Sequence, residues 1–340
     1  MKSIKNLEVT ITVLFIVLLL IPLAGYLANN STLIFNENYF GRYEMIKVVS
    51  NFTYKVLKDK IYKDFIVDQS GWFVYTGDYS LYDFQNPFPF PQDQLDSIKY
   101  KLDGLCSTLN QNDIKFVFVI PPNKNTIYPE YMPKDLPIYN QSSRLDQINS
   151  IWTDTEYCKM IDLHDTIYEE SKTIQVFYAT DTHWNQIGAF LGYQQVSQLL
   201  QQWYPTIDTH NLSDFTLVEK EFMGEFTKRN FGQIQVTETA LFLQPKIITD
   251  SVILSSQDSS GINVTSTANP NKSLPRALIY HDSFFFPVVE FLADSFVESD
   301  WFYTPKIDMK YVMANKPDVV ILEVTERLLE FLNQLPNPDG

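Results

Sequence analysis

Asp181 and His183 lie two residues apart in the run Tyr178-Ala-Thr-Asp-Thr-His-Trp-Asn-Gln-Ile-Gly188, and Ser283 follows His281-Asp282 far downstream. In an extended segment, side chains two apart project to the same side, so a carboxylate can reach the imidazole beside it and set its tautomer. A serine hydroxyl against a histidine oriented in this way becomes a nucleophile, and the chemistry is acyl transfer. The same residues also suit a blander role. Thr180, Asp181 or Asn185 can cap the helix that follows, with His183 a hydrogen-bonded boundary residue. Residue type and spacing alone leave both readings open.

The elements that must position these residues alternate along the chain. A helix is expected over about 92–111, then a buried strand Lys115-Phe-Val-Phe-Val-Ile120 and a loop opening with Pro121-Pro-Asn-Lys124. A helix at about 141–153, a strand around Met160-Ile161, a short helix to Ser171 and a strand from Gln175 to Tyr178 lead into the Asp-Thr-His-Trp run. The helix after it covers Asn185 to Tyr204. Strand Arg276 to Tyr280 delivers Ser283, with a helix from Phe284 to Phe296 behind it. Strand Asp318 to Glu323 and a helix from Thr325 to Leu335 close the pattern. Alternation of this kind implies an α/β fold with a largely parallel sheet flanked by helices. Residues 212–275, which end in a polar run from Ser255 to Lys272, break the alternation and read as a β-rich insertion, an inserted β-lobe or a mobile surface loop. In open α/β sheets, chemistry collects where strand C-termini meet helix N-termini, and both candidate segments sit there.

The beginning of the chain is of another kind. Lys2 and Lys5 precede an apolar stretch from Val9 to Ala28, long enough to cross a bilayer core. Positive charge on the short flank predicts that residues 1–8 stay cytoplasmic and the rest lies outside the cell membrane. Tyr26 spoils the small-residue site that a signal peptidase needs, so 9–28 is read as a retained single-pass transmembrane anchor rather than a cleaved signal. Apolar residues at helical spacing over 33–66 suggest an amphipathic stalk, 29–68, leading to a domain at 69–335 and a short tail, 336–340.

Composition narrows the partners. With 26 Lys and Arg against 41 Asp and Glu, the net charge is −15, which argues against nucleic acid and against polyanionic substrates. The 20 Tyr and 25 Phe supply flat faces suited to sugar rings as well as to a core. Cys106 and Cys158 are too few for a disulfide framework, and two buried free thiols are preferred to one bridge. A metal site from Asp181, His183, His281 and Asp282 lacks a recognised ligand spacing.

Five segments, in order, resemble the alginate O-acetyltransferase family and its SGNH-hydrolase-like domain. They are Gly71-Trp-Phe-Val-Tyr75, Pro121-Pro-Asn-Lys-Asn-Thr-Ile-Tyr-Pro-Glu130, Thr180-Asp-Thr-His-Trp-Asn185, His281-Asp-Ser-Phe284 and Glu323-Val-Thr-Glu-Arg327. His281 stands where many SGNH enzymes have glycine, and Gly224-Glu225-Phe226 where relatives often have Gly-Asp-Leu. The resemblance implies Ser283, His183 and Asp181 as catalytic residues, with Asn123, Lys124, Tyr128 and Trp184 as substrate-side or oxyanion candidates. It implies an extracytoplasmic O-acetyltransferase that moves an acetyl group through an acetyl-serine onto hydroxyls of an exopolysaccharide or envelope glycan. No bound cofactor is expected. The acetyl group would be delivered by a membrane-bound O-acyltransferase partner. The alternatives are an acetyl esterase using the same triad and a non-catalytic assembly factor.

Overall fold

The computed structural model describes residues 62, 64–227, 236–246, 251–257 and 262–338, together with Val13, Ile16, Val17, Leu20 and Val48. The chain divides into two compact units, one of Ile61–Gly224 with Thr237–Gly340 and a smaller one of Met1–Lys60 with Glu225–Val236. In the smaller unit, Val13, Ile16, Val17 and Leu20 are helical and exposed. The predicted anchor, 9–28, otherwise lies outside the described residues, as does most of the predicted stalk. Among the described residues, no helix is long and apolar enough to cross a membrane. The end of the predicted stalk is corrected. Phe65–Val67 is a strand, β1, paired antiparallel with β2, Phe73–Tyr75. Its alternating buried, half-buried, buried pattern is the period of a strand, which so short an apolar run did not distinguish from a helix.

The larger unit is built on a seven-stranded mixed sheet. In chain order its elements begin with helix α1, Gln92–Asn110, strand β3, Lys115–Ile120, and helix α2, Arg144–Ile151. Strand β4, Cys158–Asp162, and helices α3, His164–Ser171, and α4, Gln186–Trp203, follow. A separate hairpin pairs β5, Phe215–Phe222, with β6, Glu238–Pro245. Then come β7, Val252–Gln257, β8, Asn263–Ala268, β9, Arg276–His281, β10, Glu298–Tyr303, and β11, Val319–Glu323. The sheet order is β4-β3-β11-β9-β10-β8-β7. The first five strands run parallel and the last two pair antiparallel.

Apolar clusters cover both faces, so the central strands read as near-continuous hydrophobic runs. Every residue of β11 is buried. α1 packs on one face through Leu95, Ile98, Leu102, Leu105 and Leu109, and α4 on the other through Phe190, Tyr193, Val196 and Leu200.

Three readings change. The stretch 212–275 is not one insertion: β7 and β8 extend the central sheet, and only β5 and β6 form a separate lobe. The polar run after Ser255 enters strands: β8 lies between β10 and β7, with Val264 and Thr267 buried. The expected helix after Ser283 is instead a 3-10 turn, Ser283–Val288, tightened around Pro287, then a single α-turn, Val289–Leu292. Finally, Cys106 and Cys158 form a disulfide across a separation of 52 residues, with Cα atoms 5.9 Å apart. Packing of α1 on the sheet brings the two together, a tertiary event that their distance in the chain conceals.

Candidate active site

The segment before α4 is not a strand. It is a tight reversal closed by a lone bridge between Phe177 and Trp184, with the Asn185 N–H donating to the Val176 carbonyl at 2.9 Å. Asp181 and His183 sit near its tip. Asp181 Oδ1 accepts from both the His183 N–H, at 3.1 Å, and His183 Nδ1, at 2.7 Å. The carboxylate therefore organises the turn and the imidazole together. A carboxylate can only accept, so the proton resides on Nδ1 and Nε2 is the accepting nitrogen. Nε2 lies 2.8 Å from Ser283 Oγ. The His183 side chain is 24% exposed against 9% for Asp181, so the histidine meets solvent over a largely buried carboxylate.

The capping role is also filled, by Asn185. Its side chain accepts from the Ile187 and Gly188 N–H groups at the start of α4. Capping and the Asp181–His183 pairing are thus divided between neighbouring residues. Trp184, fully buried, donates from Nε1 to the Phe284 carbonyl at 2.8 Å. It is packing and positioning rather than substrate contact. At Gly192, a Cβ would come within 2.8 Å of the Trp184 ring, so α4 passes this close only with glycine there.

Lys124 has a different job from the one predicted. Its ammonium is buried among four carbonyl oxygens, of Phe73 and Tyr178 at 2.6 Å and of Ala179 and Asp181 at 3.0 Å. It clamps the reversal to β2. Tyr128 is likewise buried, and its hydroxyl oxygen accepts from the Val176 N–H at 3.1 Å. Burial pushes that phenol up to about 12. Asn123 is fully buried beside Asp83, and its backbone N–H donates to Glu326 at 2.8 Å.

Sequence reasoning missed Glu238, the first residue of β6. Its carboxylate accepts from the Ala179 and Thr180 N–H groups and from Thr180 Oγ1, each at 2.7 Å. Gly224, beyond the end of β5, donates its N–H to Thr180 Oγ1 at 3.0 Å. A Cβ there would lie 2.0 Å from the Thr180 carbonyl oxygen. The hairpin lobe thus braces the two residues that precede Asp181. Tyr178 stacks on Phe222 of the same lobe, ring centroids 3.9 Å apart.

The serine is braced from the sheet. Asp282 accepts the Phe284 N–H on Oδ1, the Thr325 hydroxyl on Oδ1 and the Thr325 N–H on Oδ2, at 2.8 to 2.9 Å. The Asp282 N–H donates to Glu323, at the end of the adjacent strand β11, at 2.8 Å. Glu323 is fully buried. Burial, reinforced by the Asp282 charge, raises its carboxyl well above the usual range. His281, 1% exposed, sets Nδ1 2.6 Å from the Asp282 carbonyl oxygen, and burial lowers its pKa.

The family described as SGNH hydrolase-like domain, acetyltransferase AlgX, matches residues 71–262, more than half of the chain. That stretch includes Asp181 and His183; Ser283 lies beyond it. Among solved structures, PatB1 of Bacillus cereus with a sulfonyl adduct is similar at 18% identity and a TM-score of 0.60, over 78% of this chain and 96% of that one. A DHHW family protein from Eubacterium siraeum is similar at 20% identity and a TM-score of 0.51, over 71% of this chain and 88% of that one. At these identities the two structures speak to the fold. No curated protein matches the chain.

Proposed function

The chain belongs to the SGNH hydrolase-like acetyltransferase family of AlgX, and from that premise we propose that it transfers acetyl groups through Ser283 onto glycan hydroxyls. The reading is carried by one observation, the unbroken relay Asp181–His183–Ser283 with links of 2.7 and 2.8 Å. His183 Nε2 takes the Ser283 proton as Oγ attacks the acetyl carbonyl of the donor. The donor's acyl bond breaks, its leaving group takes that proton, and acetyl-serine remains. A sugar hydroxyl then attacks the ester, passes its proton to His183, and the proton returns to Ser283 as the acetyl group departs. Ser283 opens a helical turn; Asp282 takes the Phe284 N–H, and the Ser283 N–H is the proposed oxyanion donor. In this scheme Asp181 orients His183 and stabilises the imidazolium, and no cofactor is bound.

The proposed setting is the outer side of the cell membrane. The apolar stretch 9–28 supports an anchor, and the Cys106–Cys158 bridge fits an oxidising compartment. Acetyl groups made inside the cell then need a membrane-embedded acyltransferase partner to reach Ser283. The net charge of −15 favours a neutral or amino-sugar glycan over a polyuronate as acceptor.

The test uses the full chain in detergent with a chromogenic acetyl ester, with and without oligosaccharides, beside Ser283→Ala. A sulfonyl fluoride, the class of reagent that captures activated hydroxyls, should label Ser283 and stop turnover. Serine-dependent turnover that moves acetyl onto sugar establishes a transferase. Release indifferent to every sugar makes the protein an esterase. Activity unchanged by the substitution sinks the triad, and polymer acetylation intact in cells carrying Ser283→Ala makes it an assembly factor.

A further inference from the structure

Two half-exposed aromatic rings stand beside the serine, and the relay does not use them. Phe286 is 45% exposed and Tyr303 is 43% exposed, in a fold that otherwise buries most of its large rings. Their centroids are 4.7 Å apart and their planes 44° from each other. Phe286 lies three residues after Ser283 within the 3-10 turn Ser283–Val288. In that geometry residues i and i+3 eclipse, so Phe286 projects from the same side of the turn as Ser283, about 6 Å further along. Tyr303 ends β10 and is in register with His281 on β9, two residues before the serine. Both rings therefore belong to the C-terminal edge of the sheet that carries Ser283.

The pair rests on a built support. His281 is buried beneath it, edge-on to Phe286 at 5.3 Å and 6.1 Å from the Tyr303 ring. Trp301 flanks the imidazole from below, at 6.1 Å. The bond between His281 Nδ1 and the Asp282 carbonyl fixes the ring, because that carbonyl can only accept. The histidine that stands where many SGNH enzymes have glycine thus has a physical role here. A glycine would leave Phe286 and Tyr303 with no ring under them.

We infer that Phe286 and Tyr303, propped by His281, form the acceptor subsite, a shelf on which a neutral or amino-bearing pyranose stacks while a neighbouring hydroxyl faces Ser283. This rests on the transferase reading above. An aromatic face is electron-rich and meets the polarised C–H face of a sugar, or an ammonium on it, and repels a carboxylate. The chain's acidic balance works in the same direction. The offset between shelf and nucleophile is close to the span of a single sugar ring.

Two experiments separate the shelf from the chemistry. In the full chain, Phe286→Ala, Tyr303→Ala and the double variant should leave sugar-free ester release unchanged. Each single variant should raise the KM for a neutral β-1,4-linked pentasaccharide about tenfold, with kcat at saturating sugar retained. Binding of the same pentasaccharide to Ser283→Ala, measured by tryptophan fluorescence, should vanish when Phe286 and Tyr303 are also replaced, and a polyuronate of equal length should not bind. Acceptor KM and binding unaffected by the double variant overturn the shelf. A parallel fall in sugar-free release also overturns it, because the rings would then serve the donor or the turn itself. If no variant, wild type included, acylates at Ser283 yet pentasaccharide binding still depends on the two rings, the transferase reading fails and a glycan-binding shelf stands.

Discussion

Trp184 donates its indole N–H to the carbonyl of Phe284, so the residue after the histidine holds the residue after the serine. The contact lies wholly inside the protein, and both rings are fully buried. It makes the His183–Ser283 distance a property of the core rather than of two independent loops.

Trp184→Phe keeps most of the apolar volume but strands a buried carbonyl, at a cost of about 1–3 kcal/mol. The expected outcome is a lower urea midpoint together with a roughly tenfold fall in kcat for ester release, since small displacements of a general base are expensive. A lower midpoint with unchanged kcat would assign Trp184 to packing alone.

Glu238 reaches the site through the backbone N–H groups of Ala179 and Thr180 and the Thr180 hydroxyl. Glu238→Ala removes the acceptor for four donors, the Ala179 and Thr180 N–H groups, the Thr180 hydroxyl and the Gln175 amide, and frees the turn that presents Asp181 and His183. Activity should fall by about 10- to 100-fold, and amide exchange at residues 179–183 should accelerate. Unchanged exchange there would show that Lys124 suffices to hold the turn.

Glu323 predicts a pH dependence of stability. Its carboxyl is raised in the fold, so its contribution is intact below the ordinary carboxyl range, near 4.5, and is lost as pH climbs toward the folded value. Asp83 and Glu326 shift in the same direction, each chiefly through burial. Urea unfolding should therefore show stability declining from mildly acid toward alkaline pH. Glu323→Gln, whose amide can donate to Asp282 without a proton to lose, should reduce that slope by up to about 1.4 kcal/mol per pH unit across the window. A slope identical to wild type would mean that Glu323 is ionised in the fold.

The disulfide closes a loop of 52 residues, which corresponds to about 4 kcal/mol of stability as an upper estimate. Cys158 begins β4, at the opposite end of the strands from Ser283. Reduction, or Cys106→Ser with Cys158→Ser, should lower the unfolding midpoint while leaving sulfonyl labelling of Ser283 intact in the folded protein. Loss of labelling without unfolding would reveal an unexpected link between the bridge and the site.

The parts of this architecture that could be read in the sequence are those whose cause is local. β3 declares itself as an uninterrupted apolar run and α1 as a helical stripe of leucines, while Asp181-x-His183 has a spacing that suits a paired imidazole as well as a helix cap. What stayed hidden depends on residues distant in the chain. Glu238 looks like any surface glutamate until the hairpin lobe folds against Ala179. Lys124 looks like a substrate-facing cation until four carbonyls converge on it. Glu298, Asp300 and the aromatics around them do not read as buried strand, yet pairing with β8 and β9 makes them β10. The segment after Ser283 reads as a helix because Pro287 is tolerable near a helix start, whereas the fold tightens it into a 3-10 turn.

The position of β11 between β3 and β9 also dictates an order of assembly. The strand carrying the serine and the strand preceding Lys124 are not neighbours; each pairs with β11, which follows both in the chain. Until residues 319–323 arrive, the two halves of the sheet have no shared edge, and Asp282 lacks both Glu323 and Thr325. A growing chain therefore contains Asp181, His183 and Ser283 before β11 is in place. Non-local closure of this kind is slow, and it leaves the inner edges of β3 and β9 exposed to pairing with other chains in the meantime. Under the proposed function, activity would then depend on β11 being in place.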